Sequence, residues 1–365
     1  AAPAAPSPLA VAFFPGLPDL ASVPMRDWSW AVADAGRRAP VATGDYGDPR
    51  GHENLRAVVA GYLRRVRGAA TDADHVIVCA GFTQGVGLVL AVLAEVGLTR
   101  LAVEDPGHPD SASIARRAGL EPVAVAVDDR GVDVGAVAAS GARAVVLTPA
   151  HQTPTGVVLA SERRQALVAW AEACDGIIIE DEYDAEFRYD RQPVGSMQGL
   201  APDRVVSIGT VSKSLAPMMR LGWMACPTRL VAPIARQKQL ADRGSPGLDQ
   251  LALATLIESG RYDRHLRRMR GMYAGRRRAL VDALAEHAPH VQMTGLAAGF
   301  HAVAQLADAA EDDVIAAARE RSVGLYGMKR YCLHGDGYPA SLVIGFGNVS
   351  ESAIRRGILA VHDLL

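Results

Sequence analysis

Residues 207–223 read SIGTVSKSLAPMMRLGW, and the residues before them extend the apolar run back to position 204 as RVVSIGT. A β-branched run of this kind is a buried strand, and LGWMACP (221–227) supplies another directly after it. Between the two lie the hydroxyls of Thr210 and Ser212, then Lys213, with Arg220 seven residues further on. A lysine delivered by a buried strand and screened by Val211 and Leu215 has a lowered pKa and suits a Schiff-base amine. A charged surface turn has much the same composition, so the reading depends on what the other strand ends carry.

Five more runs share the strand pattern: HVIVCAG (75–81), RLAVED (100–105), PVAVAV (122–127), RAVVLTP (143–149) and GIIIED (176–181). Segments with helical periodicity, such as TQGVGLVLAVLAEVG and SERRQALVAWAEAC, separate most of them. The alternation predicts an α/β fold with a mainly parallel seven-stranded sheet covered by helices on both faces. Ligands of such sheets sit beyond the carboxyl ends of the strands. After about residue 245 the character changes to long, basic helices, then to short strand-like runs, VQMTG, GFHAVAQL, SVGLY and SLVIGFG. The expected organisation is a tail and arm over 1–45, a large domain over 46–255, and a smaller C-terminal α+β domain over 256–365.

The 365 residues carry a formal charge of −2, with 49% apolar and 21% charged side chains. That balance excludes broad binding to nucleic acid or to anionic membrane. No apolar stretch is long enough to span a bilayer. Four scattered cysteines without a CxxC pair read as reduced residues of a cytoplasmic protein. The opening AAPAAPSPLA lacks the charged and apolar regions of a signal peptide and is expected to be a linker trimmed from a longer parent.

Three further strand ends carry chemistry. CAGFTQG (79–85) is a strand, a glycine and a helix start, so the backbone N–H groups of Phe82 and Thr83, entered through Gly81, form an anion site. EDPGHPD (104–110) presents His108 on a proline-flanked loop. IIIEDEYDAEF (177–187) runs an apolar strand into Glu180, Asp181, Glu182, Tyr183 and Asp184, carboxylates that need a positive partner or a hard metal, unless they form a solvated strand end. Taken together with Lys213 and Arg220, the parts suit a planar, phosphorylated aldehyde, pyridoxal 5′-phosphate. No metal is required.

The longer motifs carry a resemblance. YGDPRGHENLR (46–56), VEDPGHP (103–109), TPAHQTPTG (148–156), IIEDEYDAEFRY (178–189), GTVSKSLAPMMRLGW (209–223) and the basic helix RYDRHLRRMRGMYAGRRRAL (261–280) resemble fold-type-I pyridoxal-phosphate aminotransferases. They look most like the aminotransferase-type domain of the MocR branch of the GntR regulators. The resemblance implies that Lys213 holds the cofactor and later shuttles a proton, and that Asp181 pairs with the pyridine nitrogen. It implies that Tyr183 bonds the 3′-oxygen, and that Phe82, Thr83, Thr210, Ser212 and Arg220 cup the phosphate. Glu180 and Glu182 receive no such role and read as structural. Tyr46 resembles a tyrosine that reaches the neighbouring subunit's phosphate, which implies a homodimer with shared active sites.

Departures from the family pattern bear on the reaction. His108 stands where the family usually has a stacking tyrosine, and Thr153 where ordinary aminotransferases carry an asparagine. Val343 in SLVIGFG occupies the place of a carboxylate-binding arginine. Either Arg330, Arg243 or Arg188 takes that role, or the substrate is not an ordinary amino acid. The expected function is a pyridoxal-phosphate enzyme acting on an amine or amino acid through an external aldimine, by transamination or by diverted replacement, decarboxylation or oxidation. The alternative is the ligand-sensing effector domain of a MocR-type transcription factor, in which this chain itself would contact neither nucleic acid nor membrane.

Overall fold

The computed structural model describes residues 9–39, 44–189, 194–307, 310–334 and 338–365. Most of the Pro/Ala-rich opening, residues 1–8, lies outside the described residues. The chain enters through β1 (Val11–Ala12), α1 (Met25–Arg38) and α2 (Glu53–Arg67). α2 is capped at both ends. The His52 ring accepts from the Asn54 N–H, and Gly68 takes the left-handed conformation that stops the helix.

The central layer follows as β2 (Val76–Cys79), α3 (Phe82–Glu95), β3 (Arg100–Asp105), α4 (Asp110–Arg117), β4 (Glu121–Asp128) and β5 (Gly131–Val132). It continues through α5 (Val134–Ala139), β6 (Ala144–Leu147), α6 (Ser161–Ala173), β7 (Ile177–Glu182), β8 (Val205–Thr210) and β9 (Gly222–Ala225). These strands form one eight-stranded sheet in the order β2-β9-β8-β7-β6-β3-β4-β5. β4, β3, β6, β7 and β8 run parallel, and β9 is antiparallel to both of its neighbours. Every residue of β2, β6, β7, β8 and β9 is buried, which is why those runs lack polar alternation.

The sheet has one strand more than the seven predicted. The addition is β5, a two-residue return in which Val132 pairs with Val127 and Gly131 with Asp128. It forms because Gly131 takes φ +100°, folding the chain back after Asp129 and Arg130. Two residues are too few for any periodicity to reveal.

Beyond the sheet come α7 (Thr228–Asp242), α8 (Gly247–Glu258) and the long α9 (Arg261–His287). After these follow β10 (Gln292–Thr294), β11 (His301–Gln305), α10 (Glu311–Glu320), β12 (Val323–Gly324), β13 (Ser341–Gly345) and α11 (Glu351–Val361). A three-stranded antiparallel sheet, β10-β11-β13, packs with α9 and α11 into one apolar core. β12 does not join it. Val323 and Gly324 pair in parallel with Val11 and Ala12, tying the N-terminal arm to the C-terminal part of the chain. Among the described residues no helix is long and apolar enough to cross a membrane, and the four cysteines are free.

Candidate active site

The carboxyl ends of β3, β6, β7 and β8 and the start of α3 border a cleft of about 410 Å³. Lys213 enters it from the turn after β8. Its Nζ donates to the Gly16 carbonyl at 2.6 Å, and burial pulls its pKa below the ordinary lysine value while Asp181 and Asp184 act against that fall. Only three lysines occur in the chain: Lys213, Lys238 and Lys329. Lys238 bonds Asp242 at 2.5 Å and Lys329 bonds Asp312 at 2.7 Å. Lys213 alone has no carboxylate within ion-pair distance among the described residues.

One corner of the cleft is shaped for an anion. β2 ends at Cys79, and α3 starts at Phe82 with no side chain capping its first N–H groups. Gly81 makes the turn at φ +89°, and a Cβ there would lie 3.4 Å from Thr210 Oγ1 and 3.6 Å from both terminal nitrogens of Arg220. The Thr210 hydroxyl donates to Ser212 Oγ at 2.9 Å, and the Ser212 N–H donates back to it at 3.1 Å. Arg220 also donates to the Ala80 carbonyl. Gly222 brings β9 against this turn, since any Cβ would sit 2.9 Å from Gly81 Cα. Backbone N–H groups, two hydroxyls and a guanidinium thus converge on one point.

Asp181 faces Ile208 across the β7–β8 ladder and is 3% exposed. Its Oδ1 has no hydrogen-bond partner among the described residues. Burial, with Asp184 and Glu182 adding to it, pushes the carboxyl far above the usual aspartate range, against the pull of Lys213. An orphaned buried carboxylate is costly unless a cation or N–H meets it. Its neighbours in the acidic run have their own partners. Glu180 accepts from Ser196 Oγ at 2.6 Å and from the Met197 N–H at 2.7 Å, and Glu182 pairs with Arg67.

Tyr183 is fixed from behind. Its hydroxyl donates to the His151 carbonyl at 3.1 Å and lies 2.9 Å from His151 Nδ1, which is 2.8 Å from Asp184 Oδ2. Burial and Asp184 hold the phenol far above its ordinary pKa, so it stays protonated. His151, Asp184 and the cleft residue His301 form a buried cluster that sequence reasoning missed. His151 and Asp184 stand inside quoted motifs, but their partners are 32 and 33 residues away, and no local pattern reports that. Gly16 gave no signal at all.

His108 packs against Phe82 with ring centroids 4.9 Å apart, and its Nδ1 accepts from the Asp110 N–H at 3.2 Å. Burial lowers its pKa to about 4, so the imidazole is neutral. Thr83 and Thr153 line the same cleft. Tyr46 does not: it is 74% exposed and lies 5.3 Å from the Arg243 guanidinium in a separate concavity. Arg188 donates to the Ala150 carbonyl outside the cleft lining, whereas Arg330 lines it. Val343 is fully buried against Val303 and Met328.

The donor set fits pyridoxal 5′-phosphate. The cup at Gly81 matches a phosphate dianion, the unpartnered Asp181 oxygen matches a pyridinium N–H, and the desolvated Lys213 amine matches an aldehyde. Independent comparisons agree. The profile described as "Aminotransferase class I and II" matches residues 18–361. The HTH-type pyridoxine biosynthesis transcriptional regulator PdxR of Corynebacterium glutamicum is 32% identical over 96% of this chain and 75% of its own length. The probable rhizopine catabolism regulatory protein MocR of Rhizobium meliloti is 30% identical over 97% of this chain and 72% of its own. A solved structure, the multiple substrate aminotransferase of Thermococcus profundus, superposes with a TM-score of 0.88 at 23% identity, covering 98% of this chain and 91% of that one, a likeness of fold. The chain therefore belongs to the class I and II aminotransferase family, has the fold-type-I architecture, and takes pyridoxal 5′-phosphate as its cofactor.

Proposed function

We propose that this chain is a pyridoxal-phosphate-dependent transferase that binds its cofactor through Lys213 and acts on the amino group of an amine or amino acid. One observation carries the reading. Lys213, which has no carboxylate within ion-pair distance among the described residues, lines the same cleft as Asp181, a buried carboxylate whose Oδ1 accepts no hydrogen bond there. When bound, the cofactor supplies an aldehyde that condenses with amines and a ring that withdraws electrons from the adjacent carbon.

The residues divide the remaining work. Burial raises the neutral fraction of Lys213 Nζ, so it serves as a nucleophile and then accepts and returns a proton at the substrate carbon. Asp181 keeps the ring nitrogen protonated. Unit charges about 4 Å apart at an effective dielectric of 20 attract by roughly 4 kcal/mol, about three powers of ten in an equilibrium. Tyr183, positioned by His151 and Asp184, would donate its O–H to the ring oxygen by turning it away from the His151 carbonyl. Arg220 and the Gly81 turn would hold the phosphate, and neutral His108 would offer its ring to the cofactor. Tyr46, turned away from its own cleft, is assigned to the phosphate of a partner subunit in a homodimer. The free cysteines and the lack of a spanning helix among the described residues support a cytoplasmic setting.

A second reading rests on the regulator relatives, which extend beyond the region they share with this chain. In it the same cleft senses an amine or amino acid without turning it over. Cofactor-loaded protein mixed with an amino-acid panel and an α-keto acid acceptor separates the two. Sustained production of a new keto acid supports the transferase, and a shifted visible band without turnover supports the sensor. A protein that takes up no cofactor contradicts both.

A further inference from the structure

A second concavity, of about 720 Å³, lies between the start of α1 and the start of α9, and none of its lining residues borders the cofactor cleft. Its charge is one-sided. Arg26, Arg261, Arg264 and Arg268 line it against a single carboxylate, Asp27. Asp27 is taken by Arg261, whose guanidinium also lies over the Trp30 ring, with Cζ 4.0 Å from the centroid. Arg268 donates to the Ser22 carbonyl at 2.9 Å and meets no carboxylate among the described residues. Arg26 and Arg264 make no hydrogen bond or ion pair there. Three guanidiniums thus border one concavity without a counter-charge, in a chain whose formal charge is −2. Like charges gathered this way repel, and a multiply charged anion relieves the repulsion while matching their planar N–H forks.

The concavity is connected to Lys213. His265 lines it yet is only 5% exposed, and its Nε2 lies 2.8 Å from the carbonyl of Ser214, the residue after Lys213. A carbonyl only accepts, so Nε2 carries the proton. Nδ1 is then the acceptor, and Arg268 Nη2 approaches it at 3.4 Å. Burial holds this imidazole below its ordinary pKa, which suits that neutral tautomer. Tyr262, one turn earlier, donates to Ser214 Oγ at 2.8 Å. α9 therefore grips Ser214 by its carbonyl and its hydroxyl, and Arg268 is shared between that grip and the concavity.

We propose that this concavity binds a small, multiply charged anion of the diphosphate or tricarboxylate kind, and that its occupancy is felt at Lys213 through Arg268, His265 and Ser214. The binding site stands apart from the cofactor reading above, and the coupling rests on it.

The test titrates cofactor-loaded protein calorimetrically with inorganic pyrophosphate and with citrate, at constant pH and ionic strength, with acetate as the singly charged control. Pyrophosphate or citrate should saturate the protein while acetate does not. Arg26→Ala and Arg264→Ala, both at exposed positions, should each weaken binding roughly ten-fold, the scale of one charge-assisted hydrogen bond, with the cofactor dissociation constant unchanged. Arg264→Lys should recover part of the loss, because an ammonium keeps the charge without the planar fork. Saturation should also change the visible band, and the two alanine variants should need correspondingly more anion to show it. Absence of saturable binding, or binding that ignores both substitutions, overturns the site. Loss of the visible band with the same anion dependence in wild type and variants would place the anion at the Gly81 corner and overturns it too. Retention of duplex DNA with this arginine dependence, but of neither anion, would assign the arginines to a nucleic-acid backbone and overturn the small ligand. Saturation with an unchanged band overturns the coupling. Wild-type protein without a visible band overturns the cofactor reading instead, and the calorimetric arm still decides the site.

Discussion

Lys213 Nζ and the Gly16 carbonyl are joined at 2.6 Å, so the N-terminal arm closes directly on the amine at the end of β8. Phe14, two residues earlier, lines the same cleft with its ring 5.6 Å from the Arg330 guanidinium. The arm therefore meets both the amine assigned to the cofactor and a cleft-lining arginine.

Removing the amine should not harm the cofactor-free fold. The Lys213 pKa is lower in the folded chain than in the unfolded one, so below about pH 10 the unfolded chain binds the proton more readily and the lysine opposes folding. Lys213→Ala is expected to melt at or above the wild-type temperature at pH 7 without cofactor. A midpoint several degrees lower would show that the arm contact outweighs the desolvated amine.

Asp181→Asn should move stability and affinity in opposite directions. The carboxyl's pKa is raised on folding, so its cost grows as pH climbs past the ordinary aspartate value, and the amide relieves it. Denaturant titration at pH 7 without cofactor should show the variant more stable than the wild type, because the amide carries no charge to bury beside Asp184 and Glu182. Equilibrium dialysis should show cofactor affinity reduced by roughly two to three powers of ten. Parallel changes in both would contradict the ring-nitrogen role.

His301 predicts an acid sensitivity. Burial lowers its pKa to about 3, so between pH 6.5 and about 3 the unfolded chain takes a proton that the folded chain refuses. Stability from this group is complete above pH 6.5 and drains away on acidification. Relative to His301→Gln, the wild type should lose about 1.4 kcal/mol per pH unit across that window. Parallel stability curves for the two proteins would mean that the imidazole is charged within the fold.

Tyr46 tests the shared site. If it reaches a partner's phosphate, Tyr46→Phe should raise the cofactor dissociation constant roughly ten-fold, the value of one hydrogen bond to a charged group, without changing the association state. Unchanged affinity would leave Tyr46 as an exposed ring beside Arg243 and nothing more.

Much of this was legible from one chain because the decisive residues sit at the ends of buried strands. RVVSIGT and GIIIED announce themselves by their apolar runs, and parallel pairing carries Asp181, the last residue of GIIIED, and Lys213, three residues beyond RVVSIGT, to one edge. Local sequence is silent about partners brought together by the fold. The Gly16 carbonyl meets Lys213 across 197 residues, and His151 meets Asp184 across 33. The departure at Val343 was visible as a missing arginine. Of Arg330, Arg243 and Arg188, it is Arg330 that lines the cleft, a placement set by the fold and not by local sequence. β5 escaped because two residues carry no period.

The central claim, that Lys213 holds the cofactor, has a direct test because only three lysines compete for the role. Protein loaded with pyridoxal 5′-phosphate is reduced with borohydride, digested, and its lysine peptides are weighed. The account predicts a phosphopyridoxyl mass increment on the peptide containing Lys213, with Lys238 and Lys329 unmodified. An increment on either of those two, or none on Lys213, would contradict it.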